Sequence, residues 1–149
     1  MAIDPNTDFS SGAILTAAQQ NRFPRGIMGV SLRSTNFAPT STASDFGSIT
    51  FTAVANRYYK YSLFVPGADA DAARLLTVNL VNASNVSVNT YTQTLRGAGI
   101  LDLIAFTTVR TETAGSLTRK IRMSTSAGNA SMCSATSIGV FVVEDLGPA

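Results

Sequence analysis

Hydrophobic and polar positions alternate with a period of two along most of this chain. Met28, Val30 and Leu32 are separated by small or polar residues, and Ile49, Phe51 and Ala53 are separated by threonines. Successive side chains of a strand point to opposite faces, so runs of this kind read as half-buried strands. Residues 58–64 are largely aromatic, with two faces pointing opposite ways, one of them interrupted by Lys60 and Ser62. That run meets Val65-Pro66-Gly67, whose proline-glycine pair fits the centre of a type II turn. Leu76, Val78 and Leu80 are in step, and Val86 and Val88 resume after the polar stretch 82–85, which is hairpin spacing. Residues 100–112 form a long candidate strand, read as central, with Gly97 and Gly99 marking a bend or bulge at its start. Leu117, Ile121 and Met123 share a face around Arg119. The last run, 137–144, is nearly continuous in apolar residues, the pattern of a strand buried on both faces.

Only the N-terminal region departs from this period. Residues 1–10 are polar, carry Pro5 and show neither a strand nor a helix pattern, so they read as an extended arm. Thr16 and Gln19 have the spacing of a capping box, in which hydroxyl and amide satisfy unpaired backbone N–H groups. A short helix is predicted through Arg22, ending before Pro24 because the residue preceding proline is pushed out of the helical region. The Ser/Thr-rich stretch 35–48 reads as a long loop. The expected organisation is an arm and short helix over 1–26 followed by a domain over 27–149. Its fold class is all-β, an antiparallel, jelly-roll-like β-sandwich of about eight strands.

Composition sharpens this picture. A chain of 149 residues with 45% hydrophobic content can enclose one core without metal or disulfide staples. Charged residues are only 13%, so Ser, Thr and Asn must keep the surface wet. The net charge of +2 is scattered, and Arg119, Lys120 and Arg122, the one basic cluster, read as a solvated strand face rather than a nucleic-acid groove; no nucleic-acid partner is expected. No apolar stretch approaches the roughly 18 residues that cross a bilayer, so no membrane partner is expected either. The N-terminus lacks the basic start and apolar stretch of a signal peptide. Cys133, the single cysteine, has small or apolar neighbours and reads as a buried residue.

The chemistry is notable for what is missing. With no histidine, every arrangement that depends on an imidazole base or ligand is removed, and a non-enzymatic role is expected, with no cofactor. Asp69 and Asp71, or Glu144 and Asp145, are adjacent carboxylates that could serve glycan hydrolysis, but Asp69-Ala70-Asp71 reads better as a solvated loop or a weak Ca²⁺ ligand pair. Asp102 is expected to face outward or be paired. Gly97-Ala98-Gly99 lacks the lysine and helix of a phosphate loop. Glycosylation sequons at Asn82, Asn85 and Asn129 fit a chain rich in Asn, Ser and Thr. Tyr58, Tyr61 and Tyr91 are candidates for a sugar-stacking surface, against the alternative that they fill the core or a subunit seam with the hydroxyl at its edge.

The run from Phe9 to Gly26 has Gly12, then Leu15-Thr16-Ala17-Ala18, then Asn21, then Pro24-Arg25-Gly26. It resembles the opening of small virion proteins of tailed bacteriophages, a group that includes minor tail proteins, fibre modules and head decoration proteins. The ending Val143-Glu144-Asp145-Leu146-Gly147-Pro148 is similar to that of the same group. Ala55-Asn56-Arg57-Tyr58-Tyr59 is similar to its Gly-Arg-x-Tyr strand start, with Asn56 where glycine is usual. Residues 66–136 carry no such signature, and no functional residue transfers. The resemblance implies a structural or adhesive role in a virion assembled in the bacterial cytoplasm, commonly as a homotrimer, with other tail or major capsid proteins as partners and a host cell-surface glycan as a further one. A minor tail or fibre-like module aiding host attachment is the first expectation. A capsid decoration protein is the alternative, and a free carbohydrate-binding module is a third. Phe9, Ile14, Leu15 and Phe23 are the expected anchor or subunit contacts, unless they close one end of the sandwich.

Overall fold

The computed structural model describes residue 14 and residues 23–149. Among the described residues there are nine strands: β1 (Gly26–Arg33), β2 (Ser44–Ala53), β3 (Arg57–Ala70), β4 (Arg74–Asn82), β5 (Ser87–Leu95), β6 (Asp102–Thr111), β7 (Gly115–Thr125), the two-residue β8 (Ala130–Ser131) and β9 (Gly139–Pro148). They form two antiparallel sheets, one ordered β1-β9-β3-β6 with β8 on β3, the other β2-β7-β4-β5. The pairings are nested: β4 with β5, β3 with β6, β2 with β7 and β1 with β9. A long two-ply ribbon whose tip is the β4–β5 hairpin has been rolled so that its two halves face each other, which is the jelly roll. The chain is thus an all-β sandwich.

Local chemistry explains the ribbon's turns. At the tip, the Asn82 carboxamide oxygen accepts hydrogen bonds from the backbone N–H groups of Ser84 and Val86 at 3.0 and 2.9 Å. Asn85 takes a left-handed φ of 63° that asparagine tolerates. Between β2 and β3, Asn56 has a left-handed φ of 58°, a conformation that asparagine tolerates better than most residues.

The core lies between the sheets. Tyr59, Tyr61, Leu63 and Val65 of β3, with Ile104, Phe141 and Val143, meet Ile49, Phe51, Leu76, Val78, Ile121 and Met123 of the other sheet. Tyr59 is fully buried, and its hydroxyl accepts from the Val54 N–H at 2.8 Å. The β1–β2 side closes tightly: a Cβ on Gly29 would overlap the Ile49 Cγ2 methyl, and one on Gly47 would stand 2.6 Å from the Ser31 hydroxyl oxygen.

Four expectations need correction. Pro66-Gly67 does not end its strand: β3 runs on to Ala70, the register with β6 slipping between Val65 and Ala68 and Gly67 absorbing the distortion at φ 70°. Residues 100–112 do not make a central strand, because β6 lies at the end of its sheet and pairs only with β3. The continuous apolar run in β9 is not buried on both faces, since Phe141 and Val143 are buried while Val140 and Val142 stay half-exposed on the outside. The 35–48 loop is shorter than expected, as β2 begins at Ser44, and it is pinned by paired backbone hydrogen bonds between Phe37 and Met132. The predicted helix over 16–22 lies outside the described residues, and those residues contain no helix.

Candidate functional site

The alternation in β3 that sends Tyr59, Tyr61 and Leu63 inward sends Lys60, Ser62 and Phe64 outward. The register places Val140 and Ala105 on either side of Phe64, and Val142 and Thr107 on either side of Ser62. Leu32 and Val30 extend these rows, opposite Val140 and Val142. The outer face of the β1-β9-β3-β6 sheet is therefore mostly apolar and open: Leu32 is 65% exposed, and Val30 and Phe64 are each 48% exposed. Its described charges are Lys60 and Glu144, which stand opposite one another on β3 and β9 and pair at 2.7 Å.

The other sheet presents the reverse chemistry. Its outer rows carry Thr50 and Thr118, whose hydroxyls bond at 2.8 Å, then Thr77 between Thr92 and Ser124. Lys120 and Arg122 lie on this face and both reach Asp45, at 3.3 and 2.7 Å. One outer face carries mainly hydroxyls and paired charges; the opposite one carries mainly apolar side chains around the Lys60–Glu144 pair.

Ionic groups are also buried between the sheets. Glu112 accepts hydrogen bonds from the Tyr61 hydroxyl at 2.7 Å and from Arg119 Nε at 3.1 Å, and Arg110 lies 3.1 Å away. Burial, reinforced by the Glu112 carboxylate, pushes the Tyr61 hydroxyl well above its ordinary range. Burial alone would lower the Arg119 pKa, but Glu112 outweighs it and raises it. Arg57 clamps Asp145 through Nε at 2.8 Å and also donates to the Phe23 carbonyl, so the chain leading into β1 is tied to the end of β9. Asp102 accepts from the Arg96 backbone N–H at 2.8 Å and from its guanidinium at 2.7 Å, and that backbone bond leads in holding its carboxyl below the usual range. In each of these clusters the carboxylate is taken up by neighbouring guanidinium, hydroxyl or backbone donors.

The residues singled out from sequence do not converge. Tyr58 lies half-buried on the outer apolar sheet. Tyr61 is a correction: it is fully buried, because position 61 shares the inward parity of Tyr59 and Leu63, and it cannot present a ring to a ligand. Tyr91 packs inward beside Phe106 at 6.0 Å, its hydroxyl 3.1 Å from the Gln93 carboxamide oxygen. Phe9 and Leu15 lie outside the described residues; Ile14 is exposed and Phe23 is 40% exposed. Asp69 is not in a solvated loop but in β3, paired in register with Ser131 of β8. Asp69 lines a concavity of about 400 Å³ with Thr40, Asn129 and Ser131, while Asp71 is taken up by Arg74. Among the described residues no three His, Cys, Asp or Glu side chains gather as metal ligands. Arg119 corrects the solvated-face reading of the basic cluster, since only Lys120 and Arg122 point outward. Cys133 is buried, and burial raises its thiol pKa.

The apolar residues of the outer sheet, Phe64 above all, are not among the candidates that the sequence suggests. Their signal is present in it as the phase of Phe64 relative to Tyr61 and as the unbroken apolar run of β9.

No protein-family profile matches the chain, and no curated protein sequence does. Among solved structures, a chain from infectious bursal disease virus, Gx strain, superposes with a TM-score of 0.51 at 15% identity over 83% of this chain. The match covers 33% of the virus chain, so this protein spans about a third of that length. A bacteriophage CBA120 tailspike protein 4 domain matches with a TM-score of 0.39 at 11% identity, over 83% of this chain and 19% of its own. A chain described as CBM4 matches with a TM-score of 0.41 at 14% identity, over 89% of this chain and 83% of its own. At such identities the likeness is one of fold: this chain has a β-sandwich of the kind found in a virus particle.

Proposed function

We propose that this chain is a non-enzymatic structural protein of a bacteriophage virion, a minor tail or fibre-like module that aids host attachment. The observation that carries the reading is the contrast between the two outer faces. A jelly roll that left a broad aliphatic sheet face in water would be prone to association, so such a face marks a surface meant to be covered by protein. The hydroxyl-rich face opposite suits exposure to solvent on a particle. The absence of histidine removes the commonest general base, and the buried Glu112 and Asp145 carboxylates are taken up by Tyr61, Arg119 and Arg57, which supports a non-enzymatic reading. The resemblance of both chain ends to small tailed-phage virion proteins supports the particle assignment, and it implies a three-fold assembly with other virion proteins as partners; the polar arm and helical pattern of residues 1–26 suit an anchor.

Mass-spectrometric stoichiometry against the major capsid protein in purified virions tests the reading. A few copies per hundred capsid subunits, crosslinked to tail proteins through residues 1–26, is the expected result. Near-equimolar amounts crosslinked to capsid protein would move the assignment to a head decoration protein. Absence from particles would overturn both, and binding of the isolated protein on a glycan array would then favour a carbohydrate-binding module.

A further inference from the structure

We infer that the outer face of the β1-β9-β3-β6 sheet takes a second copy of this chain, face to face, about a two-fold axis that runs along the strands between β9 and β3. The inference deepens the virion reading by naming the partner of its apolar face.

Register and charge select this pairing. The two central strands of the sheet are β9 and β3. Across them Val140 stands opposite Phe64, Val142 opposite Ser62, and Glu144 opposite Lys60. A two-fold axis parallel to the strands at this seam preserves each residue's height along the sheet and exchanges left for right. It therefore lays β9 of one copy over β3 of the other. Lys60 of each copy comes over Glu144 of its mate, so the described charges on the face meet their opposites twice. In the next rows Val140 comes over Phe64, and Leu32 over Ala105, large against small. A net-charged partner would find no such match, because the Lys60–Glu144 pair cancels. Aligned packing of two sheets at about 10 Å accommodates side chains of these sizes.

The size of the face sets the strength. Four strands about 4.8 Å apart, paired over roughly eight residues of 3.3 Å each, cover on the order of 500 Å² per copy. This is the low end of specific contacts, so free chains should associate weakly and the contact should gain from repetition in an assembly.

Charge reversal tests the pairing. Lys60→Glu and Glu144→Lys each place like charges across the proposed seam, and either variant alone should self-associate about tenfold more weakly than wild type in sedimentation equilibrium. Mixed in equal amounts, with one of them ¹⁵N-labelled, they should form one-to-one heteromers in native mass spectrometry. In the mixture the glutamate introduced at position 60 of one chain faces the lysine introduced at position 144 of the other. The unaltered Glu144 of the first chain likewise faces the unaltered Lys60 of the second, while neither chain regains its internal pair. Both side chains are about a third exposed, and thermal melting confirms that each variant remains folded. A wild-type protein that stays monomeric, an odd-numbered oligomer indifferent to both reversals, or a mixture no more associated than its components would overturn the inference. Presence in virions together with failure in this assay would remove the two-fold pair and leave the virion assignment standing.

Discussion

Tyr61 and Phe64 belong to the same strand and end on opposite sides of it, one sealed in the core and one open on the outer sheet. The difference is a single step of phase in β3. At Tyr61 the hydroxyl is kept company by Glu112, which also serves Arg119, so three polar groups share one buried site. Replacing Glu112 by Ala leaves a guanidinium and a phenol without their acceptor in the interior, and unfolding free energy should fall by about 3–5 kcal/mol in chemical denaturation. Asp102 contributes in a pH-dependent way. Its folded pKa is depressed, chiefly by the Arg96 backbone N–H, so its stabilisation is complete above the ordinary carboxylate range and is lost as pH falls through the folded value. The Asp102→Asn variant should therefore show a flatter acid limb in its stability profile than wild type. Cys133 is buried and its thiol pKa is raised, so a thiol reagent should leave it unmodified in the native protein and label it fully in denaturant.

The strands themselves are legible because a half-buried strand writes its period directly into the chain. The eight long strands lie close to where alternation places them, and Leu117 packs against the core in step with Ile121 and Met123. Met28 does so without Val30 and Leu32, which alternation puts in step with it but which face outward beyond a register shift between Ile27 and Gly29. Where expectation fails, a tertiary partner overrides a local signal. Proline and glycine at 66–67 would end an isolated strand, yet β3 continues past them, where Asp69 and Ala70 pair with β8, and the distortion is taken up as a bulge. The apolar β9 run suggests burial on both faces, because the presence or absence of neighbours on its outer face cannot be inferred from composition. Glycines at the β1–β2 side are silent in sequence for the same reason. Gly29→Val should destabilise the fold by about 1–3 kcal/mol in thermal or urea unfolding, because its Cβ meets the stiff, buried Ile49 side chain.

At the scale of the molecule, the two sheets bury a common core and differ on the outside. The polar sheet should tolerate change: Thr50→Lys removes one hydroxyl contact and should alter stability by under about 1 kcal/mol without changing hydrophobic-interaction retention. Leu32→Lys on the other sheet should shorten that retention clearly while leaving the melting temperature nearly unchanged, since Leu32 is mostly exposed. Equal retention for the two variants would show that the aliphatic face is not the dominant sticky surface of the protein.

The chain by itself determined the fold class, because alternation, turn residues and β-branched content are local properties that depend only on near neighbours. The absence of histidine likewise weakens a catalytic reading at the level of composition alone. Tertiary structure alone decided which strands are central, which phase of each faces the core, and which apolar residues remain in contact with solvent. Those outcomes depend on pairings between residues as distant as Lys60 and Glu144. Such pairings follow from the rolling of the whole ribbon, and the period of an individual strand holds no record of which partner it will meet.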